Sequence, residues 1–233
     1  MTTINLYLLA ALIVGIIFPA YAIWNGKKTK QLIIANPEMK IAIFKQTGII
    51  LIVLTILSIT PFLVYHERLE VLGLTFMSKP YWVIALFFIA LLVLFVLRKI
   101  RLSKNSATKF YKANSAIHFL LPATKDELNV TIIVSFIAGF CEEIVYRGFL
   151  FWYLSQHLHI AIAMILANLP FALGHLTTTG TKNTFAAFIL AFVFSAAYVL
   201  TQSLWLPILL HILVDLYSMV FAYKSHQIIN HHN

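Results

Sequence analysis

Phe140-Cys141-Glu142-Glu143-Ile144-Val145-Tyr146-Arg147-Gly148-Phe149 sets two adjacent carboxylates and an arginine inside an otherwise apolar segment. That segment begins near Leu128 and is long enough to lie in a lipid bilayer. Ionisable groups are costly there, so a membrane protein that keeps them usually uses them. The whole chain supports the membrane setting. Of 233 residues, 61% are hydrophobic and only 11% charged, whereas soluble domains carry about 25% charged residues. A soluble fold could not cover this much apolar surface. Long apolar runs, in place of short alternating segments, argue against a membrane β-barrel. The expected fold class is therefore all-α, a polytopic membrane helical bundle.

About seven apolar runs approach the roughly 20 residues that a crossing needs. They are about Ile4 to Trp24, Ile41 to Tyr65, Tyr81 to Leu97, the run from Leu128 that carries the cluster, Ile160 to Leu173, Thr184 to Leu200, and Trp205 to Tyr223. Lys27 and Lys28 follow the first run and no basic residue precedes it, so it reads as a retained helix, not a signal peptide. A polar, basic linker spans about Arg98 to Glu127, within which Phe110 to Leu121 could form a short interfacial helix. The chain thus divides into N-terminal helices and linker (1–127), a core that holds the clustered polar residues (128–222) and a C-terminal tail (223–233).

The net charge of +9 sits mostly in loops. Lys27, Lys28, Lys30 and Lys40 form one basic loop, and Arg98, Lys99, Arg101, Lys104, Lys109 and Lys112 form another. The positive-inside rule then puts both loops, and the C-terminal tail with Lys224, in the cytoplasm and the N-terminus outside. No basic soluble domain is present to bind nucleic acid. A single cysteine, Cys141, excludes an internal disulfide framework and reads as a small buried residue.

On a helix, Glu143 and Arg147 are four apart and share a face, so they can pair. Glu142 points about 100° away. One carboxylate then has a structural partner, and the other is free for general-base work. Glu143 with Arg147 can be purely a structural pair even within a functional site. Other apolar runs supply further polar groups. His175 closes the fifth, and His211 and Asp215 lie four apart on one face of the seventh. A central Asp or Arg costs roughly 2.5–3.5 kcal/mol on insertion, so one polar site shared by three helices is the economical arrangement. His157, His159, His226, His231 and His232 read as interfacial or terminal. Lys182 and the threonines at 177–179 read as a solvated loop.

At these residues the chain resembles the CPBP intramembrane proteases, a family that includes Ras-converting-type CAAX prenyl endopeptidases and bacterial Abi or bacteriocin-immunity proteins. Glu142-Glu143-x-x-x-Arg147, Phe171-x-x-x-His175 and His211-x-x-x-Asp215 match its three motifs in order, over about residues 128–222. The resemblance implies a membrane-embedded endopeptidase whose catalytic core is the C-terminal four helices, acting on membrane-associated polypeptides. It implies a bacterial cell membrane as the location. Glu142 would activate a water, His175 would help hold it, and Glu143 and Arg147 would orient the site. His211 and residue 215 would stabilise the oxyanion. Many family members have Asn at this last position; Asp215 can donate there only if protonated, and could instead orient His211 or ligate a metal.

Glu142, His175 and His211 together make a His₂Glu set of the kind that binds catalytic zinc. The Ras-converting branch implies glutamate-based hydrolysis with no cofactor required, and the reading favours that. One geometric demand follows. Glu142 lies about 21 Å into its helix, while a fully spanning fifth helix would end with His175 at the membrane surface. The fifth helix should therefore stop early, near Pro170 to Gly174, beside a water-filled cavity. Two rival classes differ from an enzyme: a non-catalytic bacteriocin-immunity or membrane adaptor protein, and a proton-coupled transporter. The second should show inverted repeats, and none is visible.

Overall fold

A computed structural model describes residues 5–75, 95 and 102–230. The described residues are helical, joined by turns, and five segments are long and apolar enough to cross a membrane. These are α1 (Leu6–Ala35), α2 (Lys40–Val64, led by a 3₁₀ turn at Pro37–Met39), α4 (Lys125–Ser155), α6 (Thr181–Thr201) and α7 (Trp205–Asn230). Two shorter helices are α3 (Lys104–Ala113) and α5 (Ile160–Leu173). The expected third span, Tyr81 to Leu97, falls outside the described residues apart from Phe95. The expected count of seven is thus five long spans and one short apolar helix among the described residues. The protein is an integral membrane helical bundle.

Helix α4 is the central element, packed on α2 along one side and on α7 along another. It starts at a capping box. Thr124 Oγ1 accepts the Glu127 N–H at 3.2 Å, and Glu127 Oε2 accepts the Thr124 N–H at 3.4 Å, so two otherwise orphaned donors are satisfied. The same Glu127 Oε2 accepts the Lys40 ammonium at 3.0 Å, and Lys40 also donates to the Leu121 carbonyl at 3.0 Å. Lys40 is therefore a buried clamp between α2 and α4, not the loop cation expected from the charge pattern. Lys27, Lys28 and Lys30 also leave the loop, because α1 runs on to Ala35.

The basic linker folds differently from the expected helix at Phe110 to Leu121. Helix α3 begins earlier, with the Ser103 hydroxyl capping the Ser106 N–H, and Ser115–Leu120 follows as 3₁₀ helix. Phe110 packs on Phe221 of α7 at 4.8 Å, and the Tyr111 hydroxyl meets His226 Nδ1 at 2.8 Å. His226 is thus tied into the α3–α7 contact and does not sit free at the chain end.

Small residues set how closely α4 and α7 approach. A Cβ at Gly139 would stand 2.5 Å from Ile212 Cγ1 and 3.1 Å from the Ile212 backbone nitrogen. A Cβ at Gly148 would stand 3.1 Å from both Leu204 Cδ1 and the Leu72 carbonyl. The two contacts fix an antiparallel register in which residues just after Gly139 lie opposite those near Ile208 to Ile212. That register carries His211 to the level of Glu142 and Glu143.

Replacing Gly139 by leucine should force α4 and α7 apart. Overpacking of a close contact costs about 1–3 kcal/mol, so thermal unfolding in detergent should show a lowered midpoint. An unchanged midpoint would mean that the helices do not depend on this contact.

Candidate active site

The Glu-Glu-Arg cluster does not sit on a regular α-helix. Within α4, Glu143–Leu150 is π-helical and all eight residues are buried. Such wide turns are rare and frequent at functional sites; a second one, Ile13–Ile17 of α1, is wholly apolar. They leave residues four apart on nearly the same side, so the expected pairing survives. Arg147 Nη1 donates to Glu143 Oε1 at 3.0 Å, and both side chains are fully buried. Arg147 Nη2 donates to the Ala191 carbonyl of α6 at 3.3 Å. The guanidinium lies 4.6 Å from the Phe171 ring and 5.6 Å from the Phe194 ring, a cation–π setting that offsets part of its lost hydration.

Glu143 also holds the histidine of α7. His211 Nδ1 stands 2.7 Å from Glu143 Oε1, the same oxygen that Arg147 uses. An ionised carboxylate only accepts, so Nδ1 carries the proton. Nε2 then faces the other two acids, 3.6 Å from Glu142 Oε2 and 3.9 Å from Asp215 Oδ2. The imidazole is stacked on Phe194 at 5.1 Å and meets Phe171 edge-on at 6.0 Å. Its orientation is set by a hydrogen bond at one end and by rings on two sides.

His175 reaches the same level through chain length. Helix α5 has 14 residues. A rise of 1.5 Å per residue gives about 20 Å between Ile160 and Leu173, well short of a bilayer core about 30 Å thick. After the turn at 156–159, α5 therefore stops inside the bundle, and His175 lines the same cavity as Glu142. The stop is at Leu173 with Gly174 as its cap, while Pro170 lies within the helix. His175 then heads a single turn, Leu176–Thr179. Thr178 and Thr179 hydroxyls donate to its carbonyl at 3.2 and 2.8 Å, and Thr177 donates to the Ala22 carbonyl of α1 at 3.3 Å. The expected solvated loop at 177–179 is thus an ordered turn docked on α1, close-packed against Gly26.

Glu142, His175, His211 and Asp215 all line one cavity of about 450 Å³. Its walls are largely apolar, with Phe44, Leu51, Phe171 and Phe194 among them, and it extends past Asn25 and Thr29 toward the lysine-bearing end of α1. Side-chain exposure rises from 0% for Glu143 to 15% for Glu142 and 33% for Asp215. The site therefore separates a dry, paired carboxylate from two that face the cavity. Among the described residues, no group of three or more His, Cys, Asp or Glu side chains is disposed to hold a metal ion.

Sequence patterning singled out six residues, and five of them connect directly: Glu142, Glu143, Arg147, His211 and Asp215. His175 joins them as a cavity wall. Phe194 was missed, because one phenylalanine among 19 carries no local signal. Tyr146 was missed too, although a hydroxyl-bearing residue between Glu143 and Arg147 in an apolar run is itself a signal.

Residues 124–217 match the family model described as type II CAAX prenyl endopeptidase Rce1-like, and all six residues lie within the match. No curated protein and no solved structure matches the chain.

Replacing Arg147 by methionine should leave Glu143 buried with His211 as its remaining partner. Breaking a buried pair from one side costs about 3–5 kcal/mol. Glu143→Gln with Arg147→Met should recover part of that loss in thermal melts. Equal stability of the single variant and the wild type would show that the pair holds nothing together.

Proposed function

We propose that this protein is an intramembrane endopeptidase that cleaves membrane-associated polypeptides, a reading supported by the match of residues 124–217 to the type II CAAX prenyl endopeptidase Rce1-like model. The observation that supports the reading is the convergence of Glu142, His175, His211 and Asp215 on one apolar-walled cavity. A peptide segment enters that cavity, where bulk water is scarce. Glu142, free of Arg147 and open to the cavity, takes a proton from a water held between it and His175. The oxygen of that water attacks the scissile carbonyl and forms a tetrahedral oxyanion. The proton then passes to the leaving nitrogen, the C–N bond breaks, and a carboxylate and an amine result.

Glu143 and Arg147 act as positioning residues in this scheme, holding His211 at a fixed angle. His211 Nε2, flanked by Glu142 and Asp215, stabilises the oxyanion when it carries a proton, and Asp215 supports that proton. Donors in a water-excluded site act far more strongly than in solution. The scheme routes no step through a metal. Because the cavity runs toward the end of α1 that carries Lys27, Lys28 and Lys30, the substrate enters from the cytoplasmic side. Helix α3 and the C-terminal end of α7 pack together, and Lys30 of α1 lies over Phe119 just after α3, so they share that side.

Three measurements test this. Purified protein in liposomes should cleave a membrane-anchored peptide, and Glu142→Ala or His175→Ala should lower kcat by about 10²–10⁴-fold, the range for a lost general base. Cleavage unaffected by Glu142→Ala would leave a binding role and no hydrolysis. Active protein should hold no stoichiometric zinc and should keep its rate after chelation; loss on chelation with recovery on zinc addition would reverse the metal-free scheme. Cysteines introduced singly at Lys109 or Tyr223, in a Cys141→Ser background, should label only from the cytoplasmic side.

A further inference from the structure

Tyr146 lines the same cavity as Glu142, His175, His211 and Asp215. It is only 3% exposed. It follows Glu142 by four positions in the π-helical part of α4, so both point toward the same side. Its ring meets Phe171 edge-on, at 5.5 Å and 78°, and Phe171 is itself pinned under the Arg147 guanidinium. The ring is thus held by packing alone. Among the described residues no hydrogen bond engages its hydroxyl. A buried tyrosine hydroxyl normally finds a partner, and this one is left facing the cavity.

The donor that the hydrolytic reading assigns, His211 Nε2, depends on protonation. His211 Nδ1 is committed to Glu143, so Nε2 donates only when the ring carries a second proton. Asp215, which takes the place where an amide could have donated, accepts when ionised. A phenolic O–H donates with no change of protonation. We infer that Tyr146 is a further catalytic residue, whose hydroxyl donates a hydrogen bond to the oxygen of the scissile carbonyl as negative charge develops there. The proton stays on Tyr146 throughout, and no bond to the tyrosine forms or breaks. The inference rests on the hydrolytic reading above and adds to it the donor that Asp215 does not supply.

The test is Tyr146→Phe in the full-length protein in liposomes, assayed on the same membrane-anchored peptide. Phenylalanine keeps the ring and its contact with Phe171, so the melting temperature should match the wild type. Loss of one oxyanion donor should lower kcat by about 10²-fold while KM stays within about twofold. Wild-type kcat in the variant, or a loss confined to KM or to the amount of folded protein, would overturn the assignment. If Glu142→Ala is inactive while Tyr146→Phe is fully active, only the donor role fails. If Glu142→Ala cleaves like the wild type, the hydrolytic reading fails and the donor role goes with it.

Discussion

A fully buried ion pair, Glu143 with Arg147, is the constraint to which the rest of the bundle conforms. Removing two charges from water costs several kcal/mol each, and their attraction repays it only when further hydrogen bonds use their remaining capacity. Different helices supply part of this, while Glu143 Oε2 and Arg147 Nε stay buried without a hydrogen-bond partner among the described residues. Ala191 of α6 accepts from Arg147, and His211 of α7 meets Glu143. Phe171 of α5 and Phe194 of α6 cover the guanidinium. The pair on α4 can be buried only if α5, α6 and α7 all present these groups at one depth.

Chain length and small residues meet that demand. Helix α5 is too short to cross and ends beside the pair. Gly139 and Gly148 let α7 and the Leu69–Leu72 turn lie directly on α4. The π-helical stretch begins at the same level, where helical geometry turns Glu142 toward the cavity and Glu143 toward the core. The polar cluster thus gathers several costly groups at a single depth, although π-helical backbone also occurs at the apolar stretch Ile13–Ile17 of α1.

Much of this was legible from spacing. Glu143 and Arg147 are four apart, as are His211 and Asp215, and helical geometry alone puts each couple on one face. The early stop of α5 followed from the depth of Glu142 and the position of His175. Other features carried no such signal. Hydropathy is the same for an α- and a π-helical stretch, so the widened turn at 143–150 was hidden. Lys40 looked like any loop cation, because its partner Glu127 is distant in sequence and meets it only when α2 and α4 pack. The threonines at 177–179 looked solvated because their acceptor, the Ala22 carbonyl, is a backbone atom of a remote helix. Local pattern reveals what a helix does with its own face; contacts between helices stay hidden unless both partners are chemically unusual.

Exposure, more than residue type, distinguishes the three acids. Glu143 has lost all contact with the cavity and has Arg147 and His211 as partners. Both contacts fall on Oε1, which Arg147 and His211 share, so this carboxylate is committed to holding helices together. Glu142 and Asp215 retain 15% and 33% exposure and meet His211 only at 3.6 and 3.9 Å. Either can exchange a proton with cavity water without dismantling the bundle. Of these two, Glu142 lies deeper on the rigid central helix, whereas Asp215 is one turn further along α7 from His211. A base must hold its water steady against a carbonyl, and that favours the carboxylate fixed by the central helix. The adjacent glutamates thus act differently because one helix turn gives them different solvents.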